Sequence, residues 1–270
     1  MCPKDDAMAP ADNPEFEHYE PQALNTGERS LLRKGMLFSS LDEDQYQEVV
    51  DLARVVTVDR NHLLFVQNQA ANHFFVLAHG QIKLTRRGFD DSEKVIDVIQ
   101  PGQSFAEAVI LSEDEVYPVN AQAITESRVI AIEASHYLGL LKQSTDLCLS
   151  VMARMGQRMH WLINEIDRLV LHNATFRLVS YLLDQLGPES EEQSEFRLKT
   201  PKAVIASRLS IVPETLSRTL KKLTLKGLVD YQRDGTIVLR DIPELRRLIT
   251  LELTDSAAME HDALGKCPRL

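Results

Sequence analysis

The sequence predicts an α+β chain of three parts in order. A small β-barrel or jelly roll comes first, then one long helix, then a helix–turn–helix closed by a β-hairpin. Three observations predict this. "HLLFVQ", "HFFVLAHGQIKLTRR", "KVIDVIQPGQSFAE" and "VNAQAITESRVIAIEA" are β-branched and aromatic runs separated by turn residues. Beyond them, from "SHYLGLLKQ" to "SYLLDQL", apolar residues recur every three or four positions. Last, "TPKAVIASRLS" and "VPETLSRTLKKLTLKGL" precede "VDYQRDGTIVLRD", which turns at Asp234-Gly235.

Residues 1–28 are rich in Pro, Asp, Glu and Asn without periodicity and are expected to be a disordered acidic tail. The barrel domain is expected over 29–140. It is led by "GERSLLRKGMLFSSLDEDQYQEVVDLARVVTVDR", read as one or two short helices with a cap at Ser40 or Asp42. Tyr46, Val49, Val50 and Ala53 form the apolar face of the second. Residues 141–172 follow as the long helix. Leu147, Val151, Met155, Arg158, Leu162, Ile166 and Leu169 step by four, four, three, four, four and three, and all but Arg158 are apolar. A stripe sustained over three heptads predicts a parallel homodimer with Leu147, Val151, Met155, Leu162, Ile166 and Leu169 in its seam. "GPESEEQSE" is read as a polar loop inside the last domain, 173–252, and 253–270 as a second tail.

Composition narrows the function. The 270-residue chain is 44% hydrophobic and 26% charged, ordinary for a globular protein, and no apolar run is long enough to span a bilayer. The acidic N-terminal stretch has no apolar signal-peptide core, so a cytoplasmic protein without a membrane partner is expected. Cys2, Cys148 and Cys267 are far apart, which argues against a disulfide framework and against a four-thiolate metal or Fe-S cluster. Net charge is −10, yet residues 196–250 carry twelve Lys and Arg against five Asp and Glu. That segment is +7 and the remainder −17, which suggests a local polyanion site on an acidic body. No nucleotide-binding loop, zinc-protease motif or nucleophile elbow is present, so an enzyme is not expected.

The basic segment explains itself by spacing. Thr200 is expected to cap the first helix ahead of Pro201, and the second begins near Val212-Pro213. Ala206 and Leu209 allow close approach at the turn. Leu216, Leu220 and Leu223 recur at helical spacing and are expected inward, leaving Glu214, Ser217, Arg218 and Lys221 outward. The N-terminal half of such a helix enters the major groove of double-stranded DNA. There Arg218 can donate to guanine, Glu214 can accept from cytosine and Ser217 can reach a base edge. Thr200, Lys202, Ser207, Arg208, Thr215 and Lys221 are candidates for phosphate contacts. Glu214 and Arg218 can also pair as an i,i+4 couple.

A barrel, a long helix and a winged helix-turn-helix in that order resemble the bacterial family of the cyclic-AMP receptor protein and the fumarate–nitrate reduction regulator (CRP/FNR). The resemblance covers about residues 30–250. Glu214, Ser217 and Arg218 match the Glu-x-x-Ser-Arg pattern of the fumarate–nitrate branch, which implies an inverted TTGAT-type repeat. "FAEA", "NATFRLVSYLL" and "SIVPETLSR" are similar to Dnr-type nitric-oxide-responsive regulators. The resemblance implies a cyclic-nucleotide-binding-like sensor, control of anaerobic or nitrogen-oxide respiration, and contact with RNA polymerase, with "RRGFDDSEK" as a candidate loop.

Three effector classes make different demands on the residues of the barrel. A cyclic nucleotide (cAMP) needs Arg-Ser for its phosphate, where this chain has Tyr117-Pro118. Glu107 is present, but Glu113, Asp114 and Glu115 crowd the same stretch, so cAMP is not expected. A cluster lacks thiolates. Haem needs an axial His, Met or similar ligand in an apolar pocket. His62, His73, His79, Met152, Met155, Met159 and His160 are the candidates, with the metal itself unassigned; "RKGMLF" and "ASRLS" stand where Dnr-type histidines would be expected. A different small molecule, a partner, ligand-free activity, and a ligand-binding module without DNA activity stay open beside haem.

Overall fold

The computed structural model describes residues 22–88, 93–111, 116–186, 194–232 and 235–250. They fall into two compact units, Met1–Gln157 and Arg158–Leu270.

The first unit opens with α1 (Thr26–Lys34) and α2 (Glu43–Leu52), each started by a reciprocal capping box, Asn25 with Glu28 and Asp42 with Gln45. Residues 22–28 of the expected tail are part of the fold instead: Leu24 is buried and Gln22 pairs with Val55 in an isolated bridge; residues 1–21 lie outside the described residues. Tyr46, Val49, Val50 and Ala53 are all buried. Strand β1 (Arg54–Val58) corrects the reading of its stretch as helical. Three valines in five residues, with both faces of the strand buried, favour extended backbone.

Seven further strands follow: β2 (Leu63–Phe65), β3 (His73–His79), β4 (Ile82–Arg87), β5 (Glu93–Ile99), β6 (Ser104–Phe105), β7 (Asn120–Ala123) and β8 (Ser127–Glu133). They form two antiparallel four-stranded sheets, β1-β8-β3-β6 and β2-β7-β4-β5. Side-chain alternation explains the packing. Phe75, Leu77, Val129 and Ala131 join Phe65, Leu84 and Tyr117 in one apolar cluster of the sandwich. Phe74, Val76, Ile130 and Ile132 belong to a second cluster with α1, α2 and α3 (Ala134–Gln143). Buried on both faces, β3 and β8 read as nearly continuous apolar runs. The β3–β4 turn requires Gly80, at φ +93°. An added Cβ would lie 2.3 Å from Ser127 Oγ and 2.5 Å from the Glu126 carbonyl.

Helix α4 (Thr145–Leu171) runs through the boundary between the units. The single periodic stretch seen in the sequence is broken twice. Extended Ser144 separates α3 from α4, and Asn173 caps α5 (Ala174–Leu183) through its side chain. The second unit continues with β9 (Ser194–Arg197), α6 (Lys202–Arg208), α7 (Pro213–Leu225), β10 (Val229–Tyr231), β11 (Thr236–Leu239) and a helical segment over 242–250. The expected hairpin is the β10–β11 pair; β9 is an addition that pairs with β11, with Ser194 and Glu195 in the stretch expected as a polar loop, because Ser-Glu-Phe-Arg has no strand signal until β11 lies beside it. Asp234 of the predicted turn, residues 187–193 of the predicted loop and 253–270 of the predicted tail lie outside the described residues.

Gly80→Ala is expected to destabilise the first unit by about 1–3 kcal/mol or more, from left-handed strain and the Ser127 clash. A thermal melt of the full chain followed by circular dichroism checks it.

Candidate nucleic-acid interface

Helix α7 begins at Val212, with Pro213 at its first position, as the sequence predicts. Helix α6 begins one residue later than predicted, after Pro201 rather than Thr200. Leu216, Leu220 and Leu223 are buried with Ile205, Ala206 and Leu209 of the α6 side and Leu178, Val179 and Leu182 of α5. Glu214, Ser217, Arg218 and Lys221 are exposed on the other face. The structure thus brings the three predicted base-reading residues together on one outward surface. Arg218 Nη2 donates to Thr215 Oγ1 at 3.2 Å, and among the described residues no ion pair joins it to Glu214. The i,i+4 couple gives way to an i,i+3 hydrogen bond that keeps the guanidinium on α7 while leaving the Glu214 carboxylate open.

The phosphate candidates divide. Lys202, Ser207, Arg208 and Thr215 are half-buried and Lys221 is exposed. The Lys202 ammonium lies 3.9 Å from the centre of the Tyr231 ring, tying the start of α6 to strand β10. Arg208 lies 5.9 Å from the Tyr181 ring. Thr200 departs from the expected outward placement: it is 7% exposed, and its side chain hydrogen-bonds to Tyr181. Burial raises the Tyr181 pKa, against the opposing pull of Arg208 and of that Thr200 bond.

Sequence reasoning missed Arg177 of α5. Its Nη1 donates to the Leu209 carbonyl at 2.8 Å and the Ser210 carbonyl at 3.3 Å. These carbonyls end α6 and form the turn, in which Ser210 sits at φ +53°. A cation on the carbonyl end of a helix satisfies orphan acceptors and holds the strained turn. The available signal was an arginine embedded among buried Phe176, Leu178 and Val179. Behind it, Arg168 clasps Asp184 at 2.6 Å and 3.4 Å, and buried His172 stacks on Phe176 with ring centres 3.7 Å apart at the α4–α5 joint. In the wing, Arg240 pairs with Asp230 at 2.6 Å across β10 and β11.

Two family models match in tandem: a cyclic nucleotide-binding domain over residues 55–144 and a Crp-like helix-turn-helix domain over 176–248. The chain belongs to the Crp/Fnr family of DNA-binding transcriptional regulators. It is similar to DNR from Pseudomonas aeruginosa, 30% identical over 83% of this chain and 98% of that one, with a TM-score of 0.47. It is 24% identical to the nitrogen fixation regulation protein FixK of Azorhizobium caulinodans, over 75% of this chain and 82% of that protein. The fold is also that of FixK2 from Bradyrhizobium japonicum, with a TM-score of 0.65 and 18% identity over 73% and 96% of the two chains. The Crp/Fnr relatives are regulators, not enzymes. No described helix is long and apolar enough to cross a membrane.

Within this Crp/Fnr chain the set expected on the open face of α4 holds for Met155, Leu162 and Ile166 and is corrected at Leu147 and Val151. Leu147 and Val151 are 0% and 3% exposed and pack with Tyr137, Leu140 and Leu141 in the first unit. Cys148 joins them at the edge of that cluster, its Sγ on the Leu141 carbonyl at 3.0 Å. Leu169 is half-buried beside Arg177 and Tyr181 in the second unit. The exposed stripe instead runs Met152, Met155, Met159, Ile163, Ile166, Val170, in steps of three, four, four, three and four, with Leu162 exposed at its edge. The predicted stripe and this one diverge because the first turns of α4 are part of the first unit's core and Leu169 is partly covered beside Arg177 and Tyr181.

The effector candidates are dispersed. His62 and His79 are exposed, in the β1–β2 turn and at the end of β3, and half-buried His73 starts β3, six residues from His79. Met152 and Met159 lie on the open stripe. Glu107, in a 3-10 turn (Glu107–Ile110), accepts from Ser104 Oγ at 2.6 Å and pairs with Arg154 of α4 at 3.4 Å. Tyr117, where a phosphate-binding pair would stand, is fully buried. Its ring stacks on Phe65 with centres 3.8 Å apart, and its hydroxyl donates to the His73 carbonyl at 2.8 Å. Phe75 and Phe105 extend this stack. Glu113, Asp114 and Glu115, expected to crowd the stretch, lie outside the described residues.

Arg177→Met is expected to cost the second unit about 1.5–3 kcal/mol, the range for hydrogen bonds to a charged group, and to weaken DNA binding as the turn loosens. Urea unfolding and an anisotropy titration with DNA together check it.

Proposed function

We propose that this regulator binds an inverted TTGAT-type repeat as a homodimer, with Glu214, Ser217 and Arg218 reading bases in successive major grooves. The observation that carries the reading is the exposure of these three residues on one face of α7 while Leu216, Leu220 and Leu223 are buried. The Glu-x-x-Ser-Arg pattern supports the half-site, and the apolar stripe on α4 supports the dimer. Lys202, Ser207, Arg208, Thr215 and Lys221 supply phosphate contacts, which set register without reading sequence. The regulated genes belong to anaerobic or nitrogen-oxide respiration, a reading supported by the resemblance of "FAEA", "NATFRLVSYLL" and "SIVPETLSR" to Dnr-type nitric-oxide-responsive regulators. RNA polymerase is the partner once the dimer is bound; residues 89–92 of the candidate contact loop lie outside the described residues.

The sensor signals by population shift: its packing on the start of α4 biases which arrangement of the two α7 helices is populated. A cyclic nucleotide is disfavoured, because Glu107 is engaged by Arg154 and Tyr117 fills the interior with an aromatic stack. Haem would need an axial ligand beside an apolar pocket, and His62, His73 and His79 do not converge on one. These histidines do not fit haem inside the sandwich. The filled interior favours a second reading, in which the chain binds DNA without any ligand.

Anisotropy with a TTGAT-N4-ATCAA duplex tests the DNA reading. Arg218→Ala should lose about 1–3 kcal/mol and relax discrimination at one guanine, whereas Lys202→Ala should weaken all sequences alike. Indifference to the palindrome, with or without cAMP or haem, sinks the proposal. Ile163→Glu should yield a folded monomer by sedimentation, because that side chain is 48% exposed in the single chain; Leu147→Glu should instead unfold the first unit, since it buries a charge in the core.

A further inference from the structure

We propose that Val212 is a specificity residue whose isopropyl group packs against the C5-methyl of a thymine in the major groove. This rests on the reading of the chain as a DNA-binding regulator. Val212 is 58% exposed although branched and apolar. It occupies the N-cap of α7, where its side chain makes no cap hydrogen bond. Valine is among the least favoured residues there, because it has no oxygen to accept from the first backbone N–H groups. Elsewhere the chain caps well: Asn25, Asp42 and Asn173 start α1, α2 and α5 with side-chain acceptors. Helices α3 and α6 also start without one, from Glu133 and Pro201, but neither of those is an exposed branched aliphatic side chain.

At Val212 the chain thus forgoes a cap and leaves an apolar group in water, two residues before Glu214. Both are explained if the group is covered on DNA. The thymine methyl is the apolar feature that base edges offer in the major groove. Val212 is held to α7, since its carbonyl accepts from the Leu216 N–H at 3.1 Å and Pro213 restricts the next φ. It therefore moves as one body with Glu214, Ser217 and Arg218. Leu225 is more exposed, at 80%, but ends the helix far from the reading surface.

The experiment is an anisotropy titration of the full chain against the parent duplex and a set in which each thymine position, on either strand, is replaced by deoxyuridine in both half-sites. At one position the unaltered chain should lose about fourfold per half-site, the factor for one buried methyl group. Val212→Ala should bind the parent duplex correspondingly more weakly and be indifferent to uracil at that position. Val212→Ser should show the same indifference while raising the melting temperature of the free protein, because it restores a cap. The inference is overturned if no position distinguishes thymine from uracil, or if Val212→Ala keeps the discrimination, which would assign the methyl contact to Pro213 or Thr215. Failure of the unaltered chain on the parent duplex would show before any uracil is tested, and marks failure of the DNA reading itself.

Discussion

The burial of Leu216, Leu220 and Leu223 is the constraint on which the reading surface depends. They sit four and three residues apart, so they share one face of α7. All three lie in a cluster with α5 and α6 residues, and a helix anchored at three points on one face cannot rotate without exposing them. Glu214, Ser217 and Arg218 consequently have one orientation relative to the unit. Arg177 holds the turn from the side of α5, and Lys202 on Tyr231 holds the wing against α6. The polar contacts refine a placement that apolar packing decides.

In the first unit the decisive constraint is a sheet covered on both sides. β3 and β8 contribute alternate residues to two clusters, one within the sandwich and one under the helices. Phe65, Phe75, Phe105 and Tyr117 close the interior with stacked and offset rings, which add directional contacts to their buried area. Glu107 accepts from Ser104 and pairs with Arg154 of α4. The cyclic nucleotide-binding domain match over residues 55–144 thus coincides with a sandwich whose interior carries an aromatic cluster. The first two turns of α4 are part of the cluster under the helices through Leu147 and Val151.

Much of this was legible beforehand. The capping box at Asp42, the β-branched runs of the sandwich and the leucine spacing of α7 are local patterns, and each survives in the structure. What stayed hidden depended on distant partners. β9 is a strand because β11 lies beside it. Thr200 is turned inward by Tyr181, nineteen positions earlier in the chain. Arg177 has its meaning only once the α6 turn is folded against α5. Heptad counting identified α4 as amphipathic, but a period of three to four residues is shared by a seam with a second copy and by packing on the chain's own core. Leu147 and Val151 took the second course, and Ile166 did not.

The order of parts, the helix-turn-helix and the outward set Glu214, Ser217, Arg218 and Lys221 follow from local pattern, because periodicity and caps are encoded within a few residues of where they act. Which stripe of α4 is open, the pairing of Glu107 with Arg154 and the separation of the histidines of the sandwich follow from the folded packing alone. Those outcomes turn on contacts between residues tens of positions apart, for which spacing along a chain carries no signal.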